Sequence, residues 1–353
     1  GGPGTGKTTI INAIVKLYID KYKLGPADIM ETIALLAPTG RAAKKINSST
    51  GLPAYTIHRY LKWFKESNEF LYNEYNRTHH KLIIVDEVSM IDVSLFNALL
   101  NGISSSVKLI LVGDTFQLPS VGPGLVLNDL IESDYFNYIP LNQIYRQSDN
   151  SYIPFLAKEI KNNDLSEDFL NKKDDYNFVS CDKSKINEAI EQIIKYSLSK
   201  NIDERDLQVL APMYRGENGI DALNVLLQNI YNPASKKREE ITYGDIIYRE
   251  NDKVIQLVND LDNNVFNGDV GFIESIYNNK IIIDFDGNKV EYSKKDLKEI
   301  KHAYAITIHK SQGSEFMHVL MPISSSYYRM LYNKLIYTGV SRAKKSLTLI
   351  GDP

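Results

Sequence analysis

The chain has 353 residues, of which 43% are hydrophobic and 24% charged, an ordinary globular composition with room for two or three domains. Its formal net charge is -3, so any nucleic-acid binding must come from local patches such as 235–240, 293–301 and 341–345. Cys181 is the only cysteine, which excludes an internal disulfide and a cysteine-based zinc site and predicts a cytoplasmic protein. Its apolar runs are about strand length, so a membrane span is not expected.

The first eight residues of the opening stretch GGPGTGKTTI have the spacing G-x-x-x-x-G-K-T of a phosphate-binding loop. Apolar residues then recur at helical spacing from Ile10 to Tyr18, as expected when a helix follows such a loop. Lys7 would neutralise phosphate charge and the Thr8 hydroxyl would ligate Mg²⁺. The sequence therefore predicts that ATP and Mg²⁺ are bound here. The predicted nucleotide contacts are Gly2, Gly4, Thr5, Gly6, Lys7, Thr8 and Thr9.

Short apolar runs rich in β-forming residues alternate with helical segments along the chain. These runs are 32–37, 81–87, 108–114, 207–212, 303–309 and 347–352. Near-continuous apolar strands separated by helices predict an α/β fold with parallel sheets covered on both faces. In 241–300, alternating apolar residues with Asn-Gly and Asp-Gly turns predict a small inserted antiparallel β unit. A second insertion is predicted at 62–80, a polar and aromatic stretch without a clear period.

Two strand ends carry the polar groups that nucleotide hydrolysis requires. In LIIVDEVSM, Asp86 can hold Mg²⁺ through water and Glu87 can polarise the attacking water. In LVGDTFQLPSVGPG, Gln117 is placed to touch the γ-phosphate or the water, with a packed turn residue as the alternative. Arg146 in LNQIYRQ and Arg342 in YTGVSRAKK are two candidates for an arginine that stabilises transition-state charge.

Segments after two other strands carry groups suited to contact a nucleic-acid backbone. APTGRAAKKI with TIHRYL supplies hydroxyl, amide and imidazole groups, and AITIHKSQGSEF supplies Thr307, His309 and Lys310 in the same manner. Both segments are also compatible with structural loops, and neither by itself identifies a polynucleotide.

Taken in order, these segments resemble the motif series of superfamily 1 helicases, and most closely that of the RecD-like group in its 5′-to-3′ branch. GGPGTGKTT resembles motif I, APTGRAAKKI with TIHRYL motif Ia and its extension, VDEVSMID motif II and GDTFQLPSVGPG motif III. IYRQ resembles the arginine-bearing motif IV, AITIHKSQGSEF motif V and YTGVSRAK motif VI. The resemblance covers residues 1 to 352.

The resemblance implies two RecA-like P-loop lobes with parallel sheets, ATP between them and single-stranded DNA across both. Lobe one would comprise 1–61 and 81–135, and lobe two 136–240 and 301–353. Residues 62–80 would occupy the position of a strand-splitting pin, and 241–300 would form an inserted SH3-like β subdomain marked by FNGDVG. In the family a strand precedes motif I, so we expect a fragment spanning motifs I to VI whose first lobe lacks its first strand.

The resemblance also assigns roles to single residues. Carried over by motif, the ATP site consists of Lys7, Thr8, Asp86, Glu87, Gln117, Arg146 and Arg342. Glu315 would lie near the ribose or couple the lobes. The implied DNA contacts are Pro38, Thr39, His58, Thr307 and His309. The implied activity is that of a monomeric ATP-dependent DNA helicase and translocase that moves 5′ to 3′ on single-stranded DNA and tailed duplexes. Its implied partners are repair or recombination proteins.

Three alternatives remain open. The chain could be an RNA-directed motor of the same fold, because motifs I to VI do not discriminate the sugar. It could be the helicase segment of a conjugative relaxase, which requires a nuclease domain upstream. It could also be a nucleic-acid clamp that no longer hydrolyses ATP, although the intact Lys7, Asp86, Glu87 and Gln117 argue against a clamp.

Overall fold

The computed structural model describes residues 1–64, 67–143, 151–260 and 262–352, and in it the chain forms two compact units. The first unit is Gly1–Gln147 and the second is Ser148–Pro353. This boundary lies later than the one predicted after residue 135, because Leu141, beyond that position, packs against Gly1 at the start of the first unit. A Cβ built on Gly1 would lie 2.7 Å from the Cβ of Leu141.

The first unit is built on a four-stranded sheet. Its elements are α1 (Lys7–Tyr22), α2 (Pro26–Thr32), β1 (Ile33–Ala37), α3 (Gly40–Thr50), β2 (Ala54–Thr56), α4 (Ile57–Tyr60), β3 (Trp63–Phe64), β4 (Glu69–Phe70), β5 (Leu82–Val85), α5 (Val93–Gly102), β6 (Lys108–Leu111) and α6 (Val126–Glu132). The strand order is β2-β1-β5-β6, and every neighbouring pair is parallel. Leu35 packs with Ile11 and Ile46 on one face, and Leu36 with Leu99 on the other. Burial of both faces explains the continuous apolar runs in the sequence.

The predicted insertion at 62–80 begins with the antiparallel hairpin β3–β4. The rings of Trp63 and Phe70 face each other across it with centroids 4.5 Å apart. After the hairpin the chain returns to the sheet, where the Lys81 N–H donates to the Thr32 carbonyl oxygen at 2.9 Å. The insertion is therefore attached to the sheet on both sides.

The second unit contains a five-stranded parallel sheet of order β16-β8-β17-β18-β7. Its elements are α7 (Ile153–Asn162), β7 (Tyr176–Ser180), α8 (Ile186–Ser199), β8 (Leu207–Ala211), α9 (Ile220–Tyr231), β9 (Glu240–Tyr243), β10 (Ile246–Arg249), β11 (Lys253–Gln256), β12 (Val270–Tyr277), β13 (Lys280–Phe285), β14 (Asn288–Ser293), β15 (Ile300–His302), β16 (Ala305–Thr307), β17 (Phe316–Ile323), α10 (Asn333–Val340) and β18 (Ala343–Gly351). Helices α8 and α9 cover one face through residues such as Ile190 and Leu223, which pack on Val209. None of the helices in the described ranges is long and apolar enough to cross a membrane.

The β insertion of the second unit lies between α9 and β16, close to the predicted range 241–300. Five strands in the order β14-β13-β12-β11-β15 pair antiparallel, and β9 and β10 form a separate hairpin. Ile273, Ile283 and Tyr292 belong to its own hydrophobic core. The insertion is a compact β body carried on an α/β layer.

Candidate nucleotide-binding and nucleic-acid-binding sites

The loop before α1 has the backbone shape that its glycines allow. Gly4 and Gly6 adopt φ values of 72° and 79°, a region that side-chain-bearing residues rarely enter. Lys7 begins α1, and its Nζ donates hydrogen bonds to the carbonyl oxygens of Gly1 at 2.7 Å and Gly2 at 2.9 Å. The ammonium group is thus held against the loop that would cradle a phosphate. The other predicted nucleotide contacts lie in the same loop and first turn: Gly2, Thr5, Thr8 and Thr9.

Asp86 and Glu87 follow β5 directly, and each is only 5% exposed. Glu87 adopts φ 54° and ψ 39°, an uncommon conformation for a residue with a side chain. Its N–H donates to Asp86 Oδ1 at 2.8 Å, and its own Oε2 is buried with no hydrogen-bond partner among the described residues. Burial raises the pKa of Asp86 to about 6 with help from the Glu87 charge, while the charges of Lys7 and Lys45 lower it. Lys45 was not predicted from the sequence, because only folding brings α3 to this strand end.

Gln117 lies in the loop that follows β6. The Gly1 nitrogen donates to the Gly113 carbonyl oxygen at 2.9 Å, so this loop contacts the phosphate-binding loop. Gln117 is 3% exposed, its Nε2 donates to Asp114 Oδ2 at 3.3 Å, and its Oε1 is buried without a partner in the described part of the chain. Asp114 also accepts a hydrogen bond from the Phe116 N–H. Asp114 was not predicted, although its place at a strand end could have indicated it.

The continuation of this loop, residues 120–124, packs against the N-terminus of α5. A Cβ on Gly122 would lie 2.1 Å from Asp92 Oδ2, so only glycine allows this approach. The Pro123 carbonyl oxygen accepts a hydrogen bond from the Val93 N–H at 3.0 Å. Helix α5 begins a few residues after Asp86 and Glu87, so this contact connects the loop that carries Gln117 to the segment that carries the acidic pair.

The predicted nucleic-acid contacts of the first unit lie at the carboxyl edge of its sheet. Pro38 and Thr39 follow β1, and Thr39 caps α3 by accepting a hydrogen bond from the Ala42 N–H at 3.3 Å. His58 follows β2, and its ring packs against Trp63 and Phe70 with centroid distances of 6.0 and 5.8 Å. Desolvation lowers the pKa of His58, and the charge of Asp92 opposes this.

In the second unit, Thr307 and His309 lie at the end of β16. Thr307 is 5% exposed, and its hydroxyl accepts a hydrogen bond from the Lys310 N–H, whereas His309 is exposed. The adjacent strand β8 ends beside Thr307 and is followed by Tyr214 and Arg215, both exposed. Neither of these two was predicted, although both follow a predicted strand end in the sequence.

Arg342 is buried and held within the second unit. Its Nε donates to the Thr338 carbonyl oxygen at 3.0 Å, its Nη1 to the Ser314 carbonyl oxygen at 3.1 Å and its Nη2 to Ser341 Oγ at 2.8 Å. These bonds come from three sides of a planar guanidinium group, so its orientation is fixed before any ligand arrives.

The remaining predictions concern Glu315 and Arg146. The Glu315 carboxylate lies 3.3 Å from the Lys344 Nζ and forms an ion pair within its own unit. Arg146 lies outside the described residues. Within the described ranges, no three or more His, Cys, Asp or Glu side chains are grouped as metal ligands.

Three protein families match successive parts of the chain. The AAA domain family matches residues 1–123, the ATP-dependent RecD-like DNA helicase SH3 domain matches 223–285, and the UvrD-like helicase C-terminal domain matches 302–350. The ATP-dependent RecD2 DNA helicase of Deinococcus radiodurans is 33% identical over 348 residues, which are 98% of this chain and 45% of that protein. Over nearly its whole length the chain is therefore similar to RecD-like superfamily 1 helicases.

Further relatives agree with this similarity to RecD. The RecBCD enzyme subunit RecD of Buchnera aphidicola subsp. Acyrthosiphon pisum is 28% identical, over 100% of this chain and 69% of that subunit. A solved structure of two coordinating Pif1 helicases at forked double-stranded DNA has a TM-score of 0.57 and 17% identity, and covers 99% of this chain and 86% of that one. The Candida albicans Pif1 helicase has a TM-score of 0.55 and 16% identity, with 99% and 90% covered. These structures confirm the predicted α/β fold class, and the chain spans about half the length of its RecD2 relative.

Proposed function

We propose that the protein is an ATP-dependent DNA helicase that moves 5′ to 3′ along single-stranded DNA as a monomeric motor in repair or recombination. The observation that carries this proposal is the pair of buried oxygen atoms Glu87 Oε2 and Gln117 Oε1, which lack hydrogen-bond partners within the described residues. Buried polar atoms are nearly always paired, because an unpaired one is unfavourable. Two such acceptors support a site whose missing partner is a hydrogen-bond donor, the water that attacks a bound nucleotide.

In this proposal the first unit binds the nucleotide through its phosphates. Lys7 exchanges its two loop carbonyl oxygens for phosphate oxygens, and the N–H groups at the start of α1 bind the remaining charge. Thr8 and Asp86 offer a hydroxyl and a carboxylate, which fit the oxygen preference of Mg²⁺; these two residues would hold the ion, which would supply neutralisation of phosphate charge. Glu87 accepts a proton from the attacking water, and Gln117 orients that water.

Arg342 and Arg146 are assigned the stabilisation of transition-state charge. Three of the five N–H groups of Arg342 are bonded within its own unit, so the orientation of the guanidinium is set in advance. A fixed donor aimed at developing charge stabilises a transition state better than a mobile one. Glu315 is assigned to the ribose or to coupling between the units.

DNA contacts are assigned to the carboxyl ends of strands in both units. Pro38, Thr39 and His58 in the first unit, with Thr307 and His309 in the second, would contact the backbone, which makes binding independent of sequence. Translocation requires these contacts to change affinity with nucleotide state, because equal affinity moves nothing. The 120–124 loop is suited to transmit that state, since it follows Gln117 and packs on the helix after Asp86 and Glu87.

The test is ATP hydrolysis by the intact protein, titrated separately with single-stranded DNA and single-stranded RNA. We expect DNA to stimulate hydrolysis, and Lys7→Ala to lower turnover by about 10²–10³-fold or more because a phosphate-binding charge is removed. Lys16→Ala, on the exposed face of the same helix, is the matched control and should hydrolyse ATP like the wild type.

Each contrary result points to a different alternative. Turnover retained by Lys7→Ala would rule out this nucleotide site. Stimulation by RNA alone would favour the RNA-directed motor. A folded wild type that binds DNA without hydrolysing ATP would favour the clamp.

A further inference from the structure

A cavity of ≈ 720 Å³ lies in the first unit, away from the predicted nucleotide site. One end is lined by Thr32 and Lys81, which precede β1 and β5 and so lie at the amino edge of the sheet. The other end is lined by Lys62 and Tyr72, at the base of the β3–β4 hairpin. Its volume is within the range of about 300–1,000 Å³ that is common for ligand-binding cavities. Among the described lining residues, none has a predicted role in nucleotide or nucleic-acid binding.

The cavity is positively charged although the whole chain is not. Its lining includes three permanent cations, Arg59, Lys62 and Lys81, and one carboxylate, Glu31. The chain as a whole carries a formal charge of -3, so this excess of cations is a local feature. A lining of this sign favours an anionic occupant.

Aromatic rings lie beside these cations. The Arg59 guanidinium lies 5.5 Å from the ring centroid of Tyr55, and the Lys62 Nζ lies 5.3 Å from that of Tyr72. Both tyrosines are half-buried, so their rings are held in place while part of each remains accessible. Rings for base stacking combined with cations for phosphates are the pattern of surfaces that bind single-stranded nucleic acid.

Lys62 is also held in an unfavourable backbone conformation. Its φ of 53° is in the left-handed region, where glycine and asparagine are less strained than lysine. Backbone hydrogen bonds on both sides fix it there: its N–H donates to the Arg59 carbonyl oxygen, and its carbonyl oxygen accepts from the Leu71 N–H. A lysine under strain at the base of a hairpin indicates a role for its side chain.

We propose that this cavity binds the second strand of a DNA fork, the strand along which the motor does not move. The inference rests on the proposed helicase function. The lining combines Arg59 of α4, which follows His58 in the chain, with residues at the base of the hairpin and at the amino edge of the sheet. A strand that separates from its partner at the hairpin would therefore enter the cavity, where phosphates meet the cations and bases stack on Tyr55 and Tyr72.

The experiment compares the affinity of the intact protein for two DNAs by fluorescence anisotropy. One is a duplex with a 5′ single-stranded tail, and the other is a fork with the same tail and a noncomplementary 3′ tail on the second strand. We expect the wild type to bind the fork more tightly, with a steeper dependence on salt, because the 3′ tail adds phosphate contacts.

The variants remove either cations or a ring. Lys62→Gln with Lys81→Gln should reduce the salt slope for the fork by about 2, since each lysine contributes about one contact. Tyr72→Leu keeps an apolar side chain and should weaken fork binding about tenfold through lost stacking. Lys16→Gln with Lys21→Gln removes the same charge from the exposed side of α1 and should change the affinity for neither DNA.

The inference is supported if the cavity variants bind the fork no more tightly than the 5′-tailed duplex. Their affinity for the 5′-tailed duplex and their ATP hydrolysis with single-stranded DNA should both match the wild type. It is overturned if the 3′ tail does not increase the affinity of the wild type, if it increases the affinity of the cavity variants as much, or if the variants lose the same affinity for both DNAs. A wild type that gains affinity from the 3′ tail without hydrolysing ATP would support the cavity as a DNA site and overturn the proposed function.

Discussion

Gly122 has no room for a side chain, because Asp92 fills the space in which its Cβ would stand, 2.1 Å from Oδ2. Asp92 also caps α5, since its Oδ1 accepts a hydrogen bond from the Leu95 N–H at 2.8 Å. The loop that carries Gln117 is therefore positioned by a close backbone approach to this cap. Both Gly122 and Asp92 must stay in place for the loop to keep its position.

Gly122→Ala should consequently lower the free energy of unfolding of the first unit by about 1–3 kcal/mol, because the loop or the Asp92 cap must shift. Trp63 is the only tryptophan, so its fluorescence during urea denaturation reports on this unit. Gly25→Ala is the comparison variant: its Cβ would lie 3.2 Å from the flexible Asp28 Oδ2, so it should cost only the weaker N-cap of α2, about 0.5 kcal/mol. Equal stability of the two variants would contradict the close approach.

At the scale of elements, one buried carboxylate joins the β insertion to the α/β layer of the second unit. Asp252 is 0% exposed and accepts hydrogen bonds from Gln228 Nε2 at 2.6 Å, Asn232 Nδ2 at 2.8 Å and the Tyr304 hydroxyl at 2.9 Å. His302 Nε2 lies 3.0 Å away as a further partner. Burial raises the pKa of Asp252, but the hydrogen bond and charge of His302 and the other donors outweigh it and leave the pKa below its usual value.

Asp252→Asn should destabilise the second unit by about 3–5 kcal/mol at pH 7. The negative charge is lost, and the new amide N–H₂ group is itself a donor that would face the donors that Asp252 accepts from. The unfolded carboxyl takes up its proton near pH 3.9, before the folded one does. The stabilisation by Asp252 is therefore complete above about pH 4 and is lost as the pH falls through the folded pKa. Urea denaturation of both proteins, followed by circular dichroism from pH 7 to pH 3, should show the difference narrowing below pH 4. A constant difference in unfolding free energy across that range would contradict a stabilising role for the ionised Asp252 carboxylate.

At the scale of the whole molecule, histidines in both units have a lowered pKa. Desolvation is the largest cause for His58 and His80 in the first unit and for His309 and His318 in the second. The unfolded chain therefore binds protons near pH 6.5 more readily than the folded chain does, so acidification destabilises both units. Asp86 acts in the opposite direction in the first unit, because its raised pKa of about 6 means that the folded state is protonated first.

We therefore expect the second unit to lose more stability than the first between pH 7 and pH 5. Hydrogen exchange at peptide resolution, corrected for intrinsic rates, measures the two units within the intact protein. His318→Asn should reduce the loss in the second unit and leave the first unit unchanged, because His318 contacts Ser346 of the same unit at 2.7 Å. A greater loss in the first unit would contradict the compensation by Asp86.

The sequence predicted the features that depend on neighbouring residues. The phosphate-binding loop and the Asp86–Glu87 pair follow from spacing within single segments, and the parallel sheets follow from strands such as β1 that are buried on both faces. It did not predict Lys45 beside Asp86 or the contact of Gly122 with Asp92, because these join segments that only folding brings together. The cavity was also not predicted, since residues 62–80 have no periodicity and its lining comes from several separate elements.

The β insertion has a consequence for the order in which the second unit folds. Gln208 Nε2 donates to the Tyr304 carbonyl oxygen at 2.9 Å across 96 residues of chain, so β8 and β16 meet only after a long loop closes. Closure of a long loop loses more chain entropy than closure of a short one. Within the insertion, strands β11 and β15 pair directly through Val254 and His302, which brings the two ends of the insertion together. Contacts of high sequence separation form slowly. The insertion should therefore fold first, and the shorter remaining loop should speed the pairing of the edge strand β16 with β8.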